Sequence, residues 1–420
     1  MENNMCVGGL RNPNKAVAKN VALRKVGVRL RIVLERVVRE MPQVMSVGEA
    51  LGSGSAFDFD DDTLMMCRQM LAKEFGLATP PPKDGYWADL FQWIIEEAND
   101  PDTDIPDWIR DGFPLGIDRA ITPRGVFPAT TADSASIELS RAFGKIKAWA
   151  GLSEHRNYKS FYEEATAADA DFDRIVSKGF AERIRDTKEL ERRFGEVRAP
   201  KVAVVAKTKK DGTKKVRLIV DMLRSGTNGD IVARERLVLP RMTDLAESTV
   251  DLIELQRGEA KTRNCEMFAF DFADAFYTLH IAESERRHVI ARGSHDWTVY
   301  RCVAFGLASG PLLWGRLAAS ASRFAQAIFA PEELRLQTYV DDPAGAVAGE
   351  TVQERTRLLA ILVLFLRALG FQLSWKKVQR GKAVDWIGAR FRLAGSDEVV
   401  VELSTDKVDA LQELCSLRLG

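Results

Sequence analysis

Within the first 50 residues, Val26, Leu30, Val33, Leu34, Val37 and Val38 recur at three- and four-residue intervals between arginines, which predicts an amphipathic helix. Its basic face allows two readings: a helix docked on its neighbour, or an arm for nucleic acid or targeting. The next stretch is acidic and loop-rich, through Asp58, Asp60, Asp61 and Asp62, the Pro80-Pro81-Pro82 break and Asp100 to Asp107. It lacks the glycine and terminal glutamate of a calcium loop, so solvated acidic loops are expected. Trp87, Trp93, Trp108 and Trp149, interleaved with Phe91, Ile94, Phe113 and Ile117, read as the core of a small helical region rather than a base-stacking platform. Ala165 to Phe194 reads as one long exposed helix.

After Gly195 the periodicity changes to β-branched runs separated by turns. Val202 to Lys207 and Val216 to Asp221 flank Asp211-Gly212, a strong hairpin signal. Met267 to Asp271 is an apolar run ending on a carboxylate. Ser309-Gly310-Pro311 opens a helix bearing Leu313, Leu317, Phe324 and Ile328, which stops before Pro331. Leu334 to Tyr339 and Ala344 to Ala348 form a second hairpin around Val340-Asp341-Asp342-Pro343. Thr351 and Glu354 make a capping box for a helix through Leu369, closed by Gly370. Phe371 to Trp375 and Val384 to Leu393 read as two further strands. The order predicts an α+β fold, an antiparallel sheet with helices on one face.

Composition narrows the class. The chain has 420 residues, 46% hydrophobic and 29% charged, which excludes a disulfide scaffold or a disordered tail and allows two or three domains. Sixty basic residues balance sixty acidic ones, so affinity for a polyanion would need local segregation of charge. Five scattered cysteines and four histidines offer no zinc spacing. Runs such as Ile361 to Leu366 fall short of the roughly 20 apolar residues that span a bilayer. Arg24, Lys25, Arg29 and Arg31 interrupt any secretory segment. These features predict an intracellular protein, cytoplasmic or nuclear, with no membrane partner; none of them sets an oligomeric state.

The candidate chemistry lies in three aspartates. Asp341 and Asp342 sit at a tight hairpin tip, where two adjacent carboxylates converge only if the turn bends the backbone. Phe270-Asp271-Phe272-Ala273-Asp274-Ala275-Phe276 ends a second apolar strand, and a shared sheet edge would bring its carboxylate to the same place. Three aspartates on neighbouring strands suit two magnesium ions and in-line phosphoryl transfer.

Residues 200 to 392 resemble the reverse transcriptase domain of retroviruses and long-terminal-repeat retrotransposons, most of all the gypsy-like type. Phe270-Asp271 through Phe276 is similar to the family's first catalytic motif, Phe305-Gly306-Leu307-Ala308-Ser309-Gly310-Pro311 to its template-side motif, and Tyr339-Val340-Asp341-Asp342 to its signature. The resemblance implies a right-hand polymerase: fingers at 196–262 and 282–305, palm at 263–281 and 306–392, the start of a thumb at 393–420. A basic amphipathic arm, 1–50, and a mainly helical region of unassigned role, 51–195, precede it.

It further implies that Asp271, Asp341 and Asp342, with Phe272 beside the first, hold two Mg2+ ions, Mn2+ being an alternative. Lys209 and Arg217 would grip the triphosphate, with Asp274 and Ala275 beside the nucleotide. Phe276 would exclude a ribose 2′-hydroxyl. Phe305 and Gly306 would approach the nascent pair, Lys376 or Lys377 would steady pyrophosphate, and Trp386-Ile387-Gly388 would hold the primer end. The implied partners are deoxynucleoside triphosphates (dNTPs) and an RNA or DNA template with annealed primer.

Val303-Ala304, Gly310-Pro311 and Met222 to Asn228 depart from the family pattern, which bears on template grip and rate. Only one thumb helix, Thr405 to Leu417, fits before Gly420, so weak processivity is expected. With no ribonuclease H cluster or integrase zinc set in view, a fragment, a diverged element or a captured polymerase segment is expected. Two alternatives share the motifs: an inactive remnant that binds nucleic acid, and an RNA-directed RNA polymerase, which Phe276 disfavours.

Overall fold

The computed structural model describes residues 13–53, 55, 58–78, 80–81, 85–130, 152, 155–208, 214–257, 264–395, 398–403 and 407–409. Trp149, Lys209 with the rest of the 209–213 hairpin tip, and most of the expected 405–417 thumb helix lie outside the described residues.

The strands are β1 (Ala181–Ile184), β2 (Lys201–Thr208), β3 (Lys214–Asp221), β4 (Asn264–Ala269), β5 (Ile290–Arg292), β6 (Trp297–Tyr300), β7 (Leu334–Tyr339), β8 (Asp342–Gly349), β9 (Gln379–Gly381), β10 (Ala383–Trp386), β11 (Ala389–Ala394) and β12 (Glu398–Leu403). The central sheet is antiparallel in the order β7-β8-β4-β9. The hairpin β2-β3 stands apart, as do the small sheets β1-β6-β5 and β10-β11-β12. The longer helices are α1 (Val21–Glu40), α2 (Asp61–Phe75), α3 (Ala88–Ala98), α4 (Ala165–Ser177), α5 (Met242–Arg257), α6 (Gly310–Ala327) and α7 (Val352–Leu369).

Alternation along β4 decides how the central sheet is covered. Phe268 and, just beyond the strand, Phe270 join the core built around α6 and α7, whereas Met267 and Ala269 pack with Leu245 of α5 and with Val384 and Trp386. Helices on one face alone are therefore not what forms: α5 and β10-β11-β12 close the second face. The small residues Ala344, Ala346 and Ala348 line that face and give no hydrophobic stripe to read.

The 20-residue helix α1 is docked, its stripe of Leu23, Val26, Leu30, Val33, Leu34 and Val37 being buried. A side chain at Gly27 would lie 1.9 Å from the Ala327 carbonyl at the end of α6, so glycine permits backbone contact there. The acidic stretch is not uniformly solvated, a correction to the sequence expectation. Asp100 and Asp102 are buried against Arg323 and Arg316, two turns apart on α6. Asp58 holds Arg367 of α7 at 3.0 Å, and Asp60 caps α2 through the Thr63 amide. These arginines lie more than 200 residues downstream, so nothing local announces them.

The span Ala165 to Phe194 is not one helix. It breaks at Gly179, φ +77°, forms β1 against β6, and resumes as Thr187–Phe194 with Asp186 as N-cap. Phe371 to Trp375 is not a strand: Leu373 makes a lone bridge to Phe272, followed by a 3-10 turn at Trp375–Lys377. Val384 to Leu393 splits into β10 and β11 at Ile387-Gly388, both with positive φ. Half of the expected capping box forms: Thr351 accepts from the Glu354 amide, but the Glu354 carboxylate accepts from the Glu350 amide rather than that of Thr351. Gly370 is left-handed at the end of α7.

Candidate active site

The β7-β8 hairpin pairs Tyr339 with Asp342, so Val340 and Asp341 form a two-residue turn. Beside it the chain runs on from β4 through Phe270-Asp271-Phe272. The Phe270 amide donates to the Pro343 carbonyl at 2.7 Å and the Phe272 amide to the Asp341 carbonyl at 2.8 Å. This backbone register brings Asp271 beside the turn that carries Asp341 and Asp342.

Electrostatics follow from that crowding. Burial, then the charges of Asp341 and Asp271, push the Asp342 carboxyl up to about 7. Burial and the Asp271 charge also raise Asp341. Lys377 places its ammonium 2.5 Å from Asp271 Oδ1. Partial burial works against that ammonium, but the hydrogen bond and the carboxylate charges prevail and raise its pKa. Asp341 and Asp342 both sense the charge of Asp271. Among the described residues no three His, Cys, Asp or Glu side chains are arranged as a metal-binding group. The donor set still has the chemistry hard cations take: carboxylate oxygens whose mutual repulsion a divalent ion would relieve.

Around this centre, Phe276 is half-buried, its ring 5.4 Å from Phe305 and 6.4 Å from Trp314. Phe305 is 53% exposed. Ala275 is buried. Asp274 has φ +50° and bonds Lys178, just past α4, at 2.6 Å. Gly306 has φ +106°, and a side chain there would come within 2.5 Å of the Val220 carbonyl, so its close approach is to the β2-β3 hairpin. Asn228 accepts from the Ala308 amide and donates to the Gly306 carbonyl. An open cleft of about 370 Å³ lies here, lined by Tyr158, Ile219, Asp221, Leu223, Asn228 and Gly306.

Arg217 is exposed on β3. Of the two adjacent lysines, Lys377 rather than Lys376 meets the carboxylates. Trp386 is 3% exposed and packs against Tyr339 and Phe391, so its ring offers no face to a primer; Ile387 and Gly388 make the turn beside it.

No family model matches the chain, and no curated protein matches it. Solved structures do resemble it. One is a foamy viral protease-reverse transcriptase in complex with double-stranded DNA, at 15% identity and a TM-score of 0.45. A second, with an RNA/DNA hybrid, has 17% identity and a TM-score of 0.42. A third, the native prototype foamy virus protease-reverse transcriptase, has 15% identity and a TM-score of 0.38. The alignments cover 61%, 61% and 58% of this chain, but only 38%, 29% and 27% of those chains. Likeness at this level leaves the role of each residue to the site's own geometry. No described helix is long and apolar enough to cross a membrane.

Three participants escaped the sequence reading: Lys178 on Asp274, Asn228 beside Gly306, and Trp314, whose ring touches both Phe272 and Phe276. Only Asn228 carried a signal, because it closes the stretch that strays from the family pattern.

Proposed function

We propose that the chain is an RNA-directed DNA polymerase that adds dNTPs to the 3′-hydroxyl of a primer annealed to an RNA or DNA template. The observation that carries this reading is the register that sets the Asp271 segment against the turn bearing Asp341 and Asp342. Asp271, Asp341 and Asp342, with Phe272 beside them, would hold two Mg2+ ions, or Mn2+. Bound there, the ions would supply a sharpened primer hydroxyl and charge relief on the pyrophosphate.

The chain's own residues do the rest. Arg217, with Lys209, grips the triphosphate, since a guanidinium pairs well with phosphate oxygens. Phe276 lies under the sugar, supported by Phe305 and Trp314, and crowds out a 2′-hydroxyl; Asp274 and Ala275 shape the turn before it. Lys377, already among the carboxylates, is the cation positioned to pass to the leaving pyrophosphate. Fingers at 196–262 and 282–305 and a palm at 263–281 and 306–392 fit this division of labour.

The test is extension of a DNA primer on an RNA template by wild type and Asp341→Asn in parallel. The substitution is expected to cost about a thousandfold in rate, some 4 kcal/mol of barrier, with the fold retained. Equal activity of the two proteins would remove the assignment. The Lys377-Asp271 ion pair favours one second reading, a nucleic-acid-binding protein whose carboxylates stay neutralised. It predicts binding of primed template with no extension in Mg2+ or Mn2+.

A further inference from the structure

Four consecutive carbonyls around the Asp341-Asp342 turn each receive a donor. Those of Asp341 and Pro343 take the Phe272 and Phe270 amides, as the strand register requires. The other two are held by side chains from opposite directions. The Trp314 indole Nε1 of α6 donates to the Val340 carbonyl at 2.8 Å, and the Trp386 Nε1 of β10 donates to the Asp342 carbonyl at 2.9 Å.

Both indoles are almost wholly buried, at 1% and 3% exposure, and wedged by rings: Phe272 and Phe371 around Trp314, Tyr339 and Phe391 around Trp386. The turn they grip is strained. Val340 has φ +53°, a left-handed conformation that a β-branched residue rarely adopts and that glycine ordinarily fills in a two-residue hairpin turn. Such a conformation persists only where its surroundings over-determine it. A buried indole need not find an acceptor in this fold, because Trp87 Nε1 is buried without a hydrogen-bond partner.

We propose that Trp314 and Trp386 are positioning residues. Their N–H groups lock the peptides that precede Asp341 and follow Asp342, and so fix both carboxylates beside Asp271. Phenylalanine at either position keeps the ring and removes the donor. The kinetic half of this inference rests on the polymerase reading; the structural half does not.

The test compares wild type, Trp314→Phe, Trp386→Phe and, as control, Trp87→Phe. Amide hydrogen exchange is read over residues 338–344, and primer extension gives kcat and KM for the dNTP. The first two variants are expected to exchange faster in that segment while far-ultraviolet circular dichroism and exchange in α7 stay as in wild type. Their kcat is expected to fall roughly tenfold with KM unchanged, as for sub-ångström misplacement of reacting groups. Trp87→Phe is expected to leave segment 338–344 unchanged. Unchanged exchange in both Trp314→Phe and Trp386→Phe overturns the brace, as does a loss confined to KM. Faster exchange in a protein whose wild type extends no primer keeps the brace and removes the polymerase reading.

Discussion

Lys377 and Asp271 form an ion pair of 2.5 Å at the point where three acidic side chains crowd together. The ammonium supplies the positive charge this cluster needs, so a divalent ion must compete with it. Lys377→Met is expected to tighten Mn2+ binding in the absence of nucleotide, while Lys376→Met leaves it unchanged. The gain is limited to about fivefold, because the Lys377 side chain is 65% exposed and such pairs are weak. Paramagnetic titration of Mn2+ measures it. A weaker Mn2+ affinity in Lys377→Met would show that the lysine supports the ion rather than displacing it.

Burial of the cluster, and the repulsion within it, have a pH signature. Asp342 is raised to about 7 in the fold, against about 4 for a free side chain. Between those values the folded protein holds a proton that the unfolded chain has lost, so this group's contribution to stability falls as pH rises from 4 to 7. In metal-free buffer, Asp342→Asn is expected to raise Tm relative to wild type at pH 8 and to leave little difference at pH 4.5. Added Mg2+ should raise Tm of wild type at pH 8 but not that of the variant.

Phe276 sits between the exposed Phe305 ring and Trp314. Phe276→Ala opens the space beneath a sugar and is expected to reduce discrimination against ribonucleotides by about a hundredfold. The ratio of kcat/KM for matched dNTP and NTP measures it. An unchanged ratio would return Phe276 to a packing role.

Arg316 is fully buried against Asp102 and also lies over Trp108, 4.3 Å from the ring centroid. Arg316→Met leaves a buried carboxylate without its partner and is expected to cost about 3–5 kcal/mol in chemical denaturation. The double variant Arg316→Met/Asp102→Leu, which removes both charges, is expected to be more stable than Arg316→Met alone.

How much of this the sequence disclosed depended on range. The Thr351 cap on the Glu354 amide and the hairpin around Asp341 are written within a few residues, and both form as read. Asp100 and Asp102 look like loop acids because their arginines lie 223 and 214 residues away. Lys376 and Lys377 are equivalent on paper; only the 3-10 turn at Trp375–Lys377 selects which one meets Asp271. Trp314 reads as one more apolar residue of a helix, since its acceptor is 26 residues further on, and Trp386 finds its own 44 residues back. Side-chain donors to a distant backbone leave no periodic trace.

Gly306 and Val220 meet main chain to main chain, and Asn228 stitches the same junction twice. The root of the β2-β3 hairpin is consequently pinned like a knuckle. Any larger residue at 306 would therefore have to lever the root of β3 away from the loop that leads into α6.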